Sequence, residues 1–338
     1  MIDVFDLPNN VNKQIFNAAN SSGSWQTWNK PKGATVAYIM CIGSGGGGGG
    51  MRNWTSPNPG AAGGGGGGAA YTIATVPFFL IPDVLYIQVA VGGIGGGSPN
   101  VEYAQPGGGE DGGNGALSYV SLYPSTNMSD CLVVNGASIA GGGQGGRDNT
   151  LSGNGGGGGA ALSANSTTNP RYLSLCTWYS NSGQGGSAGG AYFNGGGGFR
   201  NAVNLTLLAN GITGGGTGGG GFGSGAGSSN GGIIQSADLL YSQFVTLDGA
   251  GPTVSRNNQL AYGEGTTGYQ SAKPFFFTGG AGGLLNQNTF QRLTAIGGIG
   301  ATGSGGGGAG MSGSQYIGAA VDIRTGRGGG GLVIITSY

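Results

Sequence analysis

The sequence predicts an all-β protein: a jelly-roll-like β-sandwich base carrying long glycine-rich loops. Three observations lead there. Eighty-six of the 338 residues are glycine, mostly in runs such as 45–50, 63–68, 155–159, 195–198, 305–308 and 328–331, against a usual share of about 7%. Short apolar segments rich in β-branched and aromatic residues sit between the runs. No segment after residue 20 keeps a 3.6-residue apolar period for three turns.

The elements follow in chain order. Residues 1–24 read as a lead-in or attachment segment with a short helix at Val11–Ala19, and residues 25–338 as a single glycine-rich β domain. Trp25-Gln26-Thr27-Trp28 is a strand that ends in a turn at Pro31-Lys32-Gly33. Thr35–Ile42 (TVAYIMCI) is too short for a helix and runs straight into glycine. Ala70–Thr75, Leu117–Leu122, Asp130–Val134 and the closing Gly331–Tyr338 read the same way. Val84–Val91 is nearly continuous in hydrophobicity, which predicts a strand covered on both faces.

Glycine loses more backbone freedom on folding than any other residue, so something must hold these runs in place. Two structures tolerate them. In one, the runs are loops at the tips of a sandwich, entered through bulges and turns. In the other, they are polyglycine-II helices with three residues per turn and no internal hydrogen bonds, packed until amide meets carbonyl. Both can coexist, and a sandwich base carrying a packed glycine layer fits best. The spacers between runs keep no fixed length, so a strict solenoid is excluded. Twelve prolines and no Gly-X-Y register exclude collagen.

Composition narrows the function. Charged residues make up 7%, and 12 basic residues balance 12 acidic ones. With 37% hydrophobic residues this is not a disordered composition, and no basic footprint points to nucleic acid. Solubility then rests on Asn, Ser, Thr and Gln, which suits a static assembly. Histidine is absent, removing the commonest general base and metal ligand. Cys41, Cys131 and Cys176 sit in apolar surroundings without CxxC spacing and read as small buried hydrophobes. That fits folding in a reducing compartment such as a host cytoplasm. No signal peptide and no membrane-spanning run is visible.

Chemical motifs add little. Any GxGxxG string is uninformative in so glycine-rich a chain, and no GxxxxGK[ST] occurs. Glu110-Asp111 beside glycine is the one acidic pair suited to calcium or glycoside chemistry, and a solvated loop tip is its plainer reading. No catalytic residue, cofactor site or metal site is assigned, and an enzyme is not expected.

Two resemblances then bear on function. Trp28 followed by Pro31-Lys32-Gly33-Ala34-Thr35-Val36 and then Ile42-Gly43-Ser44-Gly45 resembles the opening of the glycine-rich domain of bacteriophage virion proteins. Ile87–Gly97 (IQVAVGGIGGG) is similar to an internal strand of that domain, and 326–335 (GRGGGGLVII) to its closing strand. The likeness covers about residues 25–338. More loosely, the alternation of glycine motifs with aromatic and polar segments resembles the tail-fibre-tip adhesins of T-even-type phages, whose glycine helices pack into a layer. This chain departs from them in its strong terminal strands and longer, less regular spacers. Both resemblances imply a component of a viral particle, exposed on its exterior.

Aromatic residues flanking the glycine clusters complete the picture. Trp54, Tyr103, Tyr172, Trp178, Tyr179, Tyr192, Phe193 and Phe199 are the candidate contacts with a receptor, a glycan or a partner protein, because aromatic side chains give contact area at small entropic cost. Their plainer role is to cap the glycine layer or to pack between subunits. The run Phe275-Phe276-Phe277 is the candidate subunit-interface anchor, for a homo-oligomer such as a trimer. The expected function is a non-enzymatic virion protein, a tail-fibre or tip adhesin that meets a host surface and other virion proteins. The alternative is a self-assembling capsid, spike or filament subunit that binds no receptor.

Overall fold

A computed structural model describes residues 12–19, 23–50, 62–96, 110–144, 153–163, 170–189, 213–216, 279–280, 297–308 and 325–338, with the backbone of further short strands between residues 191 and 324. The described residues are β in character: their only helical turns are the short 3-10 segments Phe78–Leu80, Met128–Asp130 and Arg171–Leu175.

Two antiparallel sheets organise the molecule. Their strands, in chain order, are β1 (Asn12–Asn17), β2 (Trp25–Asn29), β3 (Val36–Ile42), β4 (Tyr71–Pro77), β5 (Val84–Gln88), β6 (Tyr119–Ser121), β7 (Cys131–Val134), β8 (Thr177–Asn181) and β9 (Leu332–Ser337). One sheet runs β1-β9-β3-β4-β8 and the other β2-β5-β6-β7. Alternation in the sequence sets their inner faces. Ala37, Ile39 and Cys41 of β3, Ala74 and Val76 of β4, and Val333 and Ile335 of β9 share one buried cluster with Trp28, Leu85, Ile87, Val120, Leu132 and Val133 of the other sheet. Trp28 is fully buried and meets Phe78 edge-on, with ring centroids 6.1 Å apart.

The expected helix at Val11–Ala19 is a strand over Asn12–Asn17. All six residues pair with β9, from Asn12 opposite Ser337 to Asn17 opposite Leu332. Six polar-biased residues cannot sustain a lone helix, whereas β9 offers them a ready hydrogen-bonding edge. The strand expected to be covered on both faces is a second correction. β5 buries Leu85 and Ile87 but leaves Val84, Tyr86 and Gln88 half-exposed, because only one face of its sheet meets the core. β9 is buried throughout, as is the shorter β7. The second face of β9 joins Met40, Ile42 and Tyr71 through Leu332 and Ile334.

Connectivity places the glycine runs at one end of both sheets. The chain leaves β3, β5, β7 and β8 directly into segments 43–50, 89–96, 135–144 and 182–189, and enters β4, β6 and β9 from 62–70, 110–118 and 325–331. Short strands also occur beyond them, among them the antiparallel pairs Ala191–Tyr192 with Phe199–Arg200 and Gln270–Ala272 with Phe275–Phe277, and the parallel pair Gly283–Gln287 with Ala309–Gly313.

Candidate functional site

Every backbone amide buried among the glycine runs needs a partner, and the partners recur every third residue. In 43–50 the N–H groups of Gly43, Gly46 and Gly49 donate to the carbonyls of Ala70, Gly67 and Gly64 at 3.3, 2.9 and 2.8 Å. Those of Ser44, Gly47 and Gly50 donate to Ala116, Gly113 and Glu110, and those of Gly45 and Gly48 to Gly329 and Gly326. The same tract accepts from three others: Gly93 and Gly96 donate to Gly45 and Gly48, Gly306 to Gly46, and Gly143 to Gly47. Tract 43–50 is thus bonded to neighbours on six sides.

Tract 62–70 repeats the arrangement. Gly64 and Gly67 donate to Gln144 and Gly141, Gly65 and Gly68 to Ser187 and Gln184, Gly66 and Ala69 to Gly306 and Gly303. It accepts from Gly153, Gly156 and Gly159, from Gly216, and from 43–50. Tract 303–308 bonds to both of these tracts and to Gly214, Gly280, Gly298, Gly326 and Gly330. These three tracts form the centre of the bundle. Round them stand 140–144, 110–116, 91–96, 325–331, 297–300, 279–280, 213–216, 182–189 and 153–160, each touching the next.

Sterics explain the composition. A methyl group added at Gly46, Gly47, Gly48, Gly63, Gly66 or Gly305 would land on a neighbouring tract's carbonyl. Outer tracts are relieved of this on one side only. In 153–160 the residues Gly153, Gly156 and Gly159 are buried while Asn154, Gly157 and Ala160 are exposed. The non-glycine residues Ile94, Asn114, Asn154, Ile299 and Arg327 all occupy exposed positions of that kind.

Where the bundle meets the sheets, short polar side chains bridge them. Asn135, 1% exposed, accepts from the Ser118 amide through Oδ1 at 2.8 Å and donates from Nδ2 to the Ala70 carbonyl at 3.0 Å. Ser118 Oγ accepts from the Ala90 amide, and Ser44 Oγ donates to the Val91 carbonyl while accepting from the Ala116 amide. Cys41 lies buried beside this junction, its thiol donating to the Ser118 carbonyl at 3.3 Å; Cys131 is buried at the far end of β7, and Cys176 is half-buried; no disulfide joins them. Burial, with Cys131 nearby, pushes the Cys41 thiol well up, and burial pushes that of Cys131 up to about 11.

The candidate contact residues fall in several places. Tyr172 and Trp178 pack against the inter-sheet core, Trp178 lying on β8 opposite Ala74. Tyr179, 53% exposed, points to the other face of the sheet and meets Tyr71 with ring centroids 6.1 Å apart. Tyr192 and Phe199 stand directly opposite each other in one strand pair. Phe275, Phe276 and Phe277 pair with Ala272, Ser271 and Gln270. Trp54, Tyr103 and Phe193 lie outside the described residues. The junction residues Asn135, Ser118 and Ser44 were not anticipated from sequence; the signal was a polar residue at the seam between an apolar strand and a glycine run.

Among the described residues, Glu110-Asp111 is not part of any metal-binding cluster, and no helix is long and apolar enough to cross a membrane. Compared with known proteins, the chain matches no protein-family model and no curated protein sequence.

Proposed function

We propose that this protein is a structural component of a bacteriophage particle, a tail-fibre or tip adhesin whose loops meet a receptor on the host surface. In this reading the two sheets form a β-sandwich base, and the tracts are polyglycine-II helices packed into a stiff platform. The segments bearing Trp54, Tyr103 and Phe193 make the contacts, together with Tyr192 and Phe199 of the short strand pair and Tyr179 at the sheet edge. It sits on the exterior of the virion, after assembly in the host cytoplasm, bound to other virion proteins and to copies of itself.

One observation carries the reading: amide bonds from a single tract return to the same neighbour every third residue, the period of a polyproline-II-type helix. Such a bundle exposes few movable parts. Gly50 and Ala62, at the ends of two central tracts, lie away from the sheets, so the chain between them departs from and returns to a fixed base. Recognition loops on rigid scaffolds work in this way.

The test is adsorption to bacterial cells. Replacing residues 51–61 and 97–109 by short Gly-Ser linkers is expected to abolish adsorption while amide protection in 43–50 persists. Full adsorption with both loops removed overturns the adhesin role. The alternative, a self-assembling subunit with no receptor, draws on the isoleucines exposed on the side of the bundle, Ile94 and Ile299. It predicts open-ended polymers of the purified chain.

A further inference from the structure

Among the described residues, one side of the bundle carries two exposed isoleucines on closely spaced tracts. The Gly328 amide donates to the Gly93 carbonyl, and the Gly300 amide to the Arg327 carbonyl, both at 2.9 Å. Tracts 91–96, 325–331 and 297–300 therefore stand in a row, with Ile94, Arg327 and Ile299 abreast. Ile94 is 66% exposed, Ile299 51%, and Arg327 is exposed between them. The isoleucines cannot retreat. A side chain at Gly93 or Gly95 would already strike Gly113 or Thr325, so the backbone beneath Ile94 is held.

An adjacent side, although Ile139 is exposed near it, has its tract edges closed by polar groups. There the Gly142 amide donates to Asn114 Oδ1 at 2.9 Å, and Asn154 Nδ2 donates to Gln144 Oε1 at 3.2 Å. Side-chain amides thus take the place of a further tract, much as charged or bulged edges close a sheet. The Ile94–Arg327–Ile299 side lacks this finish and presents apolar surface on a rigid plane.

We propose that this side is the contact surface between copies of the chain. The occupant follows from charge. Arg327 sits mid-row, while Glu110 and Asp111 belong to tract 110–116, bonded beside 91–96 through the Gly113 amide and the Ile94 carbonyl at 2.8 Å. Every copy therefore carries a cation on this side and two carboxylates at its flank. Rotation about an axis parallel to the tracts sets Arg327 of one copy toward Asp111 of the next and covers the isoleucines. Twelve basic and twelve acidic residues leave no net repulsion between copies. The same axis keeps all sheets at one end, so the proposal holds whether or not the loops meet a cell.

Sedimentation equilibrium of the purified full-length chain tests this. A discrete dimer or trimer is expected. The Ile94→Asn/Ile299→Asn variant and the Arg327→Glu variant should each weaken association at least about tenfold at unchanged melting temperature, since asparagine already occupies outward positions 114 and 154. Adding Asp111→Arg to Arg327→Glu should restore it. A wild-type monomer, an unlimited polymer, or variants that associate as the wild type does would each overturn the proposal. As a second measurement needing no loss of association, Ile94→Cys should form a disulfide between copies on mild oxidation, and failure to do so counts against the contact. Neither readout involves host cells, so failure here leaves the adhesin reading to its own test.

Discussion

The carbonyl oxygen of Ile94 occupies the place where a side chain on Gly47 would begin. The two residues lie on neighbouring tracts, and Gly47 is tied on another side to Gly113 at 2.9 Å. Neither backbone can yield without breaking bonds to further tracts. Gly47→Ala should therefore cost at least the roughly 3 kcal/mol at the upper end of overpacking. Gly157 is the control, because it is exposed and a methyl group there meets nothing within 4 Å. Gly157→Ala should be neutral or stabilising by up to about 1 kcal/mol, through a less flexible unfolded chain. Urea denaturation of the two variants decides it, and equal destabilisation would remove the steric account of the glycine content.

Much of the base was legible in the sequence because its strands are short apolar runs bounded by glycine. Thr35–Ile42 and the closing segment needed only local pattern. The pairing of Asn12–Asn17 with β9 could not be read, since it joins opposite ends of the chain and depends on an edge that exists only after folding. The depth of the glycine tracts was legible only in part. A lone Ile, Asn or Arg among glycines at 94, 154, 299 and 327 marks a solvent-facing position, but unbroken glycine occurs both in the central 45–50 and 63–68 and in the outer 155–159. Which aromatics face outward was not legible, because Trp178 and Tyr179 are adjacent in sequence and a strand sends them to opposite faces.

Hydrogen exchange should report the threefold spacing directly. Gly153, Gly156 and Gly159 donate to Ala62, Gly65 and Gly68 at 2.9 Å, whereas Gly157 lies exposed. Opening the bonded amides requires separating whole tracts, so they should exchange at least about 100-fold more slowly than Gly157. Residue-resolved exchange by NMR provides the comparison. Uniformly fast exchange across 153–159 would show that these tracts are not packed.

Asn135 links three segments, and its two functions can be separated. Asn135→Ala leaves the buried Ser118 amide unpaired, while the Ala70 carbonyl keeps its bond from the Gly43 amide. The expected loss is about 2 kcal/mol. Asn135→Asp keeps the acceptor for Ser118 but turns the donor toward Ala70 into a second acceptor and buries a charge. It should cost more than alanine does. Denaturation midpoints of the pair check the order, and an aspartate variant as stable as wild type would contradict the assigned amide orientation.

Alkaline pH should destabilise the fold, and the thiols and a tyrosine set the window. Burial holds Cys131 up to about 11, against an ordinary 9.0, and Tyr71 up to about 12, against 10.0. Cys41 is pushed up further in the same direction. A folded-state value above the unfolded one means that the native protein keeps protons which the unfolded chain releases. The slope of stability with pH is then negative above pH 9 and vanishes below about pH 8, where both states hold these protons. Melting temperatures measured from pH 8 to pH 11 should fall progressively. Cys131→Ala, although less stable at every pH through lost packing, should show a shallower fall between pH 9 and 11. In the same range Cys41 and Cys131 should resist iodoacetamide until the protein unfolds, since the thiolate is the reactive species. Rapid alkylation of Cys41 at pH 8 in the folded state would mean that the junction between sheets and glycine tracts opens readily, which its network of buried bonds forbids.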